Sequence, residues 1–430
     1  MMVINFIKIK LFYSLYLLIK FFNKMKNLKL FFGMALFLGA VCFTSCGEKP
    51  DGPNLDDVLT DGFYIVGEAT SSEVLVKAVK MANGLNEADG NKVTAGLWDK
   101  YVALEADKPF YIVELAGKTE IKYGINAVET VTADGADWTI SGVDVIKGTY
   151  KVDGEPFTVP VSGLYQVVAY APEKSVFIIP VHWQLNGIGQ DLEDQTPESQ
   201  GYKLQASEFN KTTMTFSLPR VKVEAGNKWK IKNSDGWKYI ITASPDIKIN
   251  CNFGLKAGTT FNYGGAENEV APGGADIPVR MSDRGYYTVT VVWTLSEGFS
   301  HKVKFTNRTT EGMPEITPVV EVYSLIGEAV GGWGNGDDVD LVYDAASSTA
   351  TKFNYKVENF ELPADGQFKI RKDHGWDTNW GFWDIQRKGD VDNFVASGDG
   401  NFQVVATKTY SSIVFTFDWD LFEPSISFNE

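Results

Sequence analysis

Tyr287-Thr-Val-Thr-Val-Val292 alternates good strand formers over six positions and follows the Gly285-Tyr286 pair. Runs of this kind recur along the chain. Phe63-Tyr-Ile-Val66, Met214-Thr-Phe-Ser-Leu218 and Ser412-Ile-Val-Phe-Thr-Phe417 are likewise rich in β-branched and aromatic residues. Gly, Asn, Asp and Pro turns separate them, and beyond residue 58 almost no stretch has helical periodicity. Period-two alternation at this turn density predicts an all-β protein of tandem antiparallel β-sandwiches.

The runs also repeat. Phe63-Tyr-Ile-Val-Gly-Glu-Ala69 recurs as Tyr323-Ser-Leu-Ile-Gly-Glu-Ala329 and, more distantly, as His182-Trp-Gln-Leu-Asn-Gly187. Trp229-Lys-Ile-Lys-Asn-Ser-Asp-Gly-Trp237 matches Phe368-Lys-Ile-Arg-Lys-Asp-His-Gly-Trp376 in spacing throughout. A Gly-x-aromatic opening is read at Gly163-Leu-Tyr165, Gly285-Tyr-Tyr287 and Gly400-Asn-Phe402. These repeats divide the chain into segments 59–180, 181–318 and 319–430, with Pro314–Pro318 as a linker. Each has the length of a sandwich domain.

Composition narrows the function. The 430 residues hold 40 basic and 55 acidic side chains, for a net charge of −15. That balance argues against a basic face of the kind that nucleic acid or anionic lipid requires. Only 3 His and 3 Cys are present, little material for a zinc cluster or cysteine–histidine catalysis. No metal or cofactor is expected.

Residues 1–45 read as an export signal, and residues 1–24 as a leader that a start at Met25 would omit. Lys26 and Lys29 precede the apolar core Leu30–Val41, and Phe43-Thr44-Ser45-Cys46 follows. A small residue before a Cys at that position resembles a bacterial lipobox, so Cys46 is the expected lipidation site. A cleaved soluble form and an uncleaved anchor are the alternatives. Residues 46–58 are polar and acidic, as in a tether. Removing residues 1–45, which carry six Lys and no acid, leaves a net charge of −21.

The third segment concentrates its indoles. Trp376, Trp380 and Trp383 lie in HGWDTNWGFWD, and Trp333 lies in VGGWGNGDD. Indoles among Gly, Asn and Asp are in loop rather than strand chemistry, and exposed apolar rings of this size call for a partner. Sugar C–H faces lie flat on indole, and Asn, Asp, Lys and Arg bond hydroxyls. In Phe368-Lys-Ile-Arg371, alternation turns Phe368 and Ile370 inward and Lys369 and Arg371 outward. The candidate glycan-binding residues are Trp333, Lys369, Arg371, Trp376, Asp377, Asn379, Trp380 and Trp383. Core capping is the competing role for these Trp.

In the second segment, Lys232, Asn233, Trp237 and Lys238 form a poorer copy that lacks a counterpart of Trp333. The first segment reads as a spacer or degenerate module. The acidic runs Asp337-Asp338-Val-Asp340 and Asp390-Val-Asp392 could hold calcium but lack the spacing of a defined calcium loop, and they read as solvated acidic turns. His182, His301 and His374 are scattered, and no GxSxG, HExxH or phosphate loop occurs. With 55 acids, a hydrolytic carboxylate pair is neither shown nor excluded.

The lipobox, the tandem units with a Gly-Glu-Ala strand end, and Phe-Lys-Ile-Arg followed by Gly-Trp-Asp-Thr-Asn-Trp-Gly resemble the SusE/SusF-type outer-membrane lipoproteins. The match is best over 319–430, fair over 181–318 and loose over 59–180. The resemblance implies immunoglobulin-like or carbohydrate-binding-module-like sandwiches without catalytic activity. It also implies a lipid-anchored protein in the outer membrane, facing the cell exterior, that captures polysaccharide beside a SusC/SusD-like importer. Carried over, Trp333, Arg371, Trp376, Asn379 and Trp380 lead, with Lys369 and Asp377 behind them. The acidic charge favours a neutral, starch-like or other glucan. A glycan hydrolase or its accessory module, or an adhesin binding protein, are the alternatives.

Overall fold

The computed structural model describes residues 59–189, 202–234 and 236–430. The export signal, Cys46 and the tether lie outside the described residues. Residues Leu59–Glu430 form one compact body. Among the described residues there is no α-helix, and the sheets are antiparallel except for one parallel pair, Gln386–Gly389 with Glu423–Asn429. The all-β, tandem-sandwich expectation agrees with this architecture.

Each large sheet draws its strands from one stretch of chain. An eight-stranded sheet uses strands between Gly62 and Pro180. A nine-stranded sheet uses strands between Trp183 and Thr309, with the ribbon Lys238–Ala243/Asp246–Asn250 beside it. A ten-stranded sheet runs from Tyr323 to Asn429. The first sheet curls until Phe63 and Tyr64 meet Lys80 and Met81, which lead into its opposite edge strand.

Strand pairing repeats three times. Gly62–Val66, Trp183–Asn186 and Tyr323–Ile326 pair with Tyr111–Ala116, Lys228–Asn233 and Gln367–Lys372 respectively. Gly163–Tyr170, Gly285–Thr294 and Lys408–Asp418 each form a hairpin with the strand that follows. The repeated Gly-Glu-Ala has a steric origin. At Gly327 (φ +138°) a Cβ would stand 2.3 Å from the Gln367 carbonyl oxygen, and at Gly67 2.5 Å from that of Pro109. Only a residue without Cβ lets the first strand cross its partner so closely.

The Gly-x-aromatic opening takes a different place in the sheet of the third segment. Gly400-Asn-Phe402 opens the short strand Asn401–Val404, which pairs with Phe394–Ser397 and Gln367–Lys372. The counterpart of Gly163–Tyr170 and Gly285–Thr294 begins at Lys408.

Alternation accounts for the cores. In Gly285–Thr294, Tyr287, Val289, Val291 and Trp293 are buried. Phe216 and Met214 oppose Val291 and Trp293 on the neighbouring strand. Each such side chain contributes roughly 1.5–3 kcal/mol on full burial. Gly163–Tyr170 is different, because it is buried on both faces. Tyr165, Val167 and Ala169 enter the core of the first sheet. Val168 and Tyr170 pack with Ile241, Ile247, Ile249 and Cys251 of the second segment. The first two segments therefore share apolar packing, bridged by Gln166, which donates to Asp99 and to the Asn250 carbonyl. The third has its own core and touches the second through Met281 N–H to Asp420 O and through Lys228–Glu423.

Candidate functional site

The strand Gln367–Lys372 carries the site. Phe368 and Ile370 are fully buried in the core of the third segment, and Lys369 and Arg371 point to the other face. Register lines up Asp340, Ser324, Arg371 and Asn379 across four neighbouring strands on that outer face.

Arg371 is outward, as alternation requires, but it is not an open donor. It has no exposed surface. Its Nε donates to Asp338 Oδ1 at 2.7 Å and its Nη2 to Asp338 Oδ2, while Ser324 Oγ donates to Asp338 Oδ1 at 2.7 Å. The Arg371 and Ser324 hydrogen bonds, with the guanidinium charge, hold the Asp338 carboxyl below the usual carboxylate range. The guanidinium carbon lies 4.9 Å from the Trp376 ring centroid. Covered arginine beneath an indole that is 45% exposed means that one face of Trp376 is backed by cation and the rest meets solvent.

Trp333 stands beside it, with ring centroids 6.1 Å apart and an interplanar angle of 31°. The turn carrying Trp333 is closed by Gly327 N–H to Gly332 O and by Gly334 N–H to Asp337 Oδ2. The Trp376 loop is tied by Asn379 Nδ2, which donates to the Trp376 carbonyl at 2.9 Å, and Lys369 Nζ donates to Asn379 Oδ1 at 3.3 Å. His374 Nε2 lies 2.6 Å from Asp340 Oδ1. That bond, with the nearby carboxylates of Asp340 and Asp338, raises the imidazole above its ordinary value despite Arg371. Asn335, Gly336, Asp338, Asp340, Arg371 and His374 surround a shallow cavity of about 290 Å³.

The eight expected residues divide. Trp333, Lys369, Arg371, Trp376 and Asn379 come together on one face, and Asp377 is exposed in the same loop. Trp380 does not join them. It opposes Ile370 in register and so faces the core, 5.4 Å from Phe415 and 5.8 Å from Tyr323. Trp383 is 73% exposed and sits edge-on to Phe382 at 4.9 Å, farther along the loop.

The second copy is drawn into the junction with the first segment. Asn233 Oδ1 accepts from His182 N–H at 2.6 Å and its Nδ2 donates to the Pro180 carbonyl at 2.9 Å, so its amide is structural. Lys232 is buried with its ammonium 5.3 Å from the Trp237 ring centroid, repeating the Arg371–Trp376 relation. Lys238 lies 3.6 Å from Glu87 of the first segment.

Sequence reasoning missed Asp338, Asp340 and Ser324. The acidic run was read as solvated turn, yet Asp338 and Asp340 hold Arg371 and His374. Asp390 is likewise held by Lys408 and Tyr410. Among the described residues, no group of three or more His, Cys, Asp or Glu is arranged to hold a metal ion.

No family model and no curated protein matches the chain. Among solved structures, the crystal structure of SusF from Bacteroides thetaiotaomicron aligns at 12% identity, covering 85% of this chain and 72% of that one, with a TM-score of 0.22.

Proposed function

We propose that the chain is a non-catalytic polysaccharide-binding protein whose main site is the outer face of the third segment. The observation that carries this reading is the adjacent pair of half-buried Trp333 and exposed Trp376, with the inner face of Trp376 backed by the Arg371–Asp338 clamp. Two neighbouring indoles suit two consecutive sugar rings, and Lys369, Asn379 and Asp377 stand at their edge to bond hydroxyls. Each stacking contact contributes about 1 kcal/mol beyond area burial, so a single site binds weakly and gains from a repeating polymer.

The rest of the proposal follows from the sequence. Cys46 carries the lipid, and the protein stands on the outer face of the outer membrane beside a SusC/SusD-like importer. Segments 59–180, 181–318 and 319–430 act as successive modules. The net charge of −21 that remains without residues 1–45 favours a neutral glucan over a polyanion. Native gel electrophoresis through amylopectin and, separately, through barley β-glucan tests the reading. Retardation by one of them, weakened in Trp376→Ala, supports it; no retardation by any neutral polymer in a wider panel removes it.

A further inference from the structure

The first segment sends a long hairpin, Thr119–Asp134 and Ser141–Val152, to the second. Most of its outer residues are exposed, as a hairpin that leaves its own sheet requires. Its tip carries Trp138, which is 59% exposed and adopts a left-handed backbone with φ +65°. A bulky residue pays strain for that conformation, and such strain persists only where surrounding bonds enforce it.

Beyond the local Thr139 N–H to Ala136 O bond, the tip is held by the turn of the second segment that repeats the Trp376 loop. Trp237 N–H donates to the Trp138 carbonyl at 2.9 Å, Ile140 N–H to Lys238 O at 3.1 Å, and Ser141 N–H to Ser234 O at 2.9 Å. Contact is close enough that a Cβ on Gly236 would meet the Ile140 nitrogen at 2.1 Å. The tip therefore has one place, next to Trp237.

The third segment shows what a complete version contains: a cation-backed indole, Trp376, and a second indole, Trp333, from another loop. In the second segment, Trp237 is backed by Lys232 in the same way, but that segment's own sequence supplies no counterpart of Trp333. Trp138 is the exposed aromatic residue whose backbone is fixed beside that of Trp237, with Lys238 and Glu87 at the same junction as polar groups for hydroxyls. We propose that Trp138 of the first segment and Trp237 of the second together form a second glycan-binding site, with the first segment donating the missing platform. This rests on the proposed function and takes the same ligand class, a neutral glucan chain. It also gives the docked hairpin a use beyond spacing, since two sites on one rigid body add avidity along one polymer.

The test uses the full chain with the main site disabled by Trp333→Ala and Trp376→Ala, run through amylopectin and barley β-glucan gels. Residual retardation is expected with the polymer that retards the wild type. Adding Trp138→Asn, which tolerates the left-handed backbone, is expected to weaken it tenfold or more, and Trp138→Tyr to restore most of it. Trp237→Ala gives the same loss from the other side of the junction. No residual retardation in the double variant, or retardation indifferent to Trp138→Asn, overturns the second site while leaving the main one intact. A wild type retarded by neither probe or any other neutral polymer removes the proposed function, and this inference with it.

Discussion

Arg371 places its guanidinium 4.9 Å from the centre of the Trp376 ring while Asp338 holds its Nε and Nη2. The fixed cation turns a loop indole into a platform with one supported face. Asp338 balances the buried charge that such support requires. The same relation, Lys232 beneath Trp237, recurs one repeat earlier.

Removing one partner of this clamp leaves the other buried and unpaired. Asp338→Ala is expected to cost about 3 kcal/mol of stability, read as a lower denaturant midpoint at unchanged slope. Arg371→Lys keeps charge but loses the fork, and is expected to cost less stability while still weakening glucan binding.

Trp376 and Trp380 are four residues apart and should respond oppositely. Trp380→Ala opens a space against Tyr323 and Phe415 and is expected to cost about 3 kcal/mol. Trp376→Ala removes a ring already 45% exposed, and is expected to change stability far less while reducing glucan affinity roughly tenfold or more. Paired thermal melts and affinity gels separate the two.

His374 gives the site a pH dependence. Its imidazole is raised by the bond to Asp340, so its stabilising contribution is full below the ordinary histidine value and is lost as pH rises through the raised one. An NMR titration is expected to find His374 titrating above an ordinary histidine. Asp340→Asn is expected to bring it back down.

His301 has the opposite sign. It is buried among Tyr101, Trp183, Phe253 and Phe299, and neither ring nitrogen has a partner among the described residues. Burial lowers its pKa to about 3. The folded state therefore keeps it neutral, and stability is lost as pH falls below about 6.5, at about 1.4 kcal/mol per unit. His301→Phe removes this term. The variant is expected to gain about 2 kcal/mol over wild type between pH 7 and pH 5, read by urea denaturation at each pH.

Much of this was legible in the chain. Tyr287–Val292 gave up its inward face by alternation, and Phe368–Arg371 its core and outer residues. The hidden parts depend on register and on distant partners. Asn379–Trp380 is a two-residue strand, and only its pairing with Ile370–Arg371 shows that Trp380 turns inward. Asp338 meets Arg371 from 33 positions away, so local reading left it in a solvated turn. The shared packing of the first two segments had a signal that went unused. Gly163-Leu-Tyr-Gln-Val-Val-Ala-Tyr170 is almost continuously apolar, the pattern of a strand covered on both faces. Gly400-Asn-Phe402 takes a different place because a glycine before an aromatic opens many strands, whatever their position in the sheet.

The most direct measurement follows the indole N–H signals of the full chain, labelled with 15N-tryptophan, as the polymer that retards it is added. The account predicts that Trp333 and Trp376 shift while the core indoles Trp380 and Trp229 stay in place. A titration that moves Trp380 and leaves Trp333 and Trp376 unmoved would contradict it.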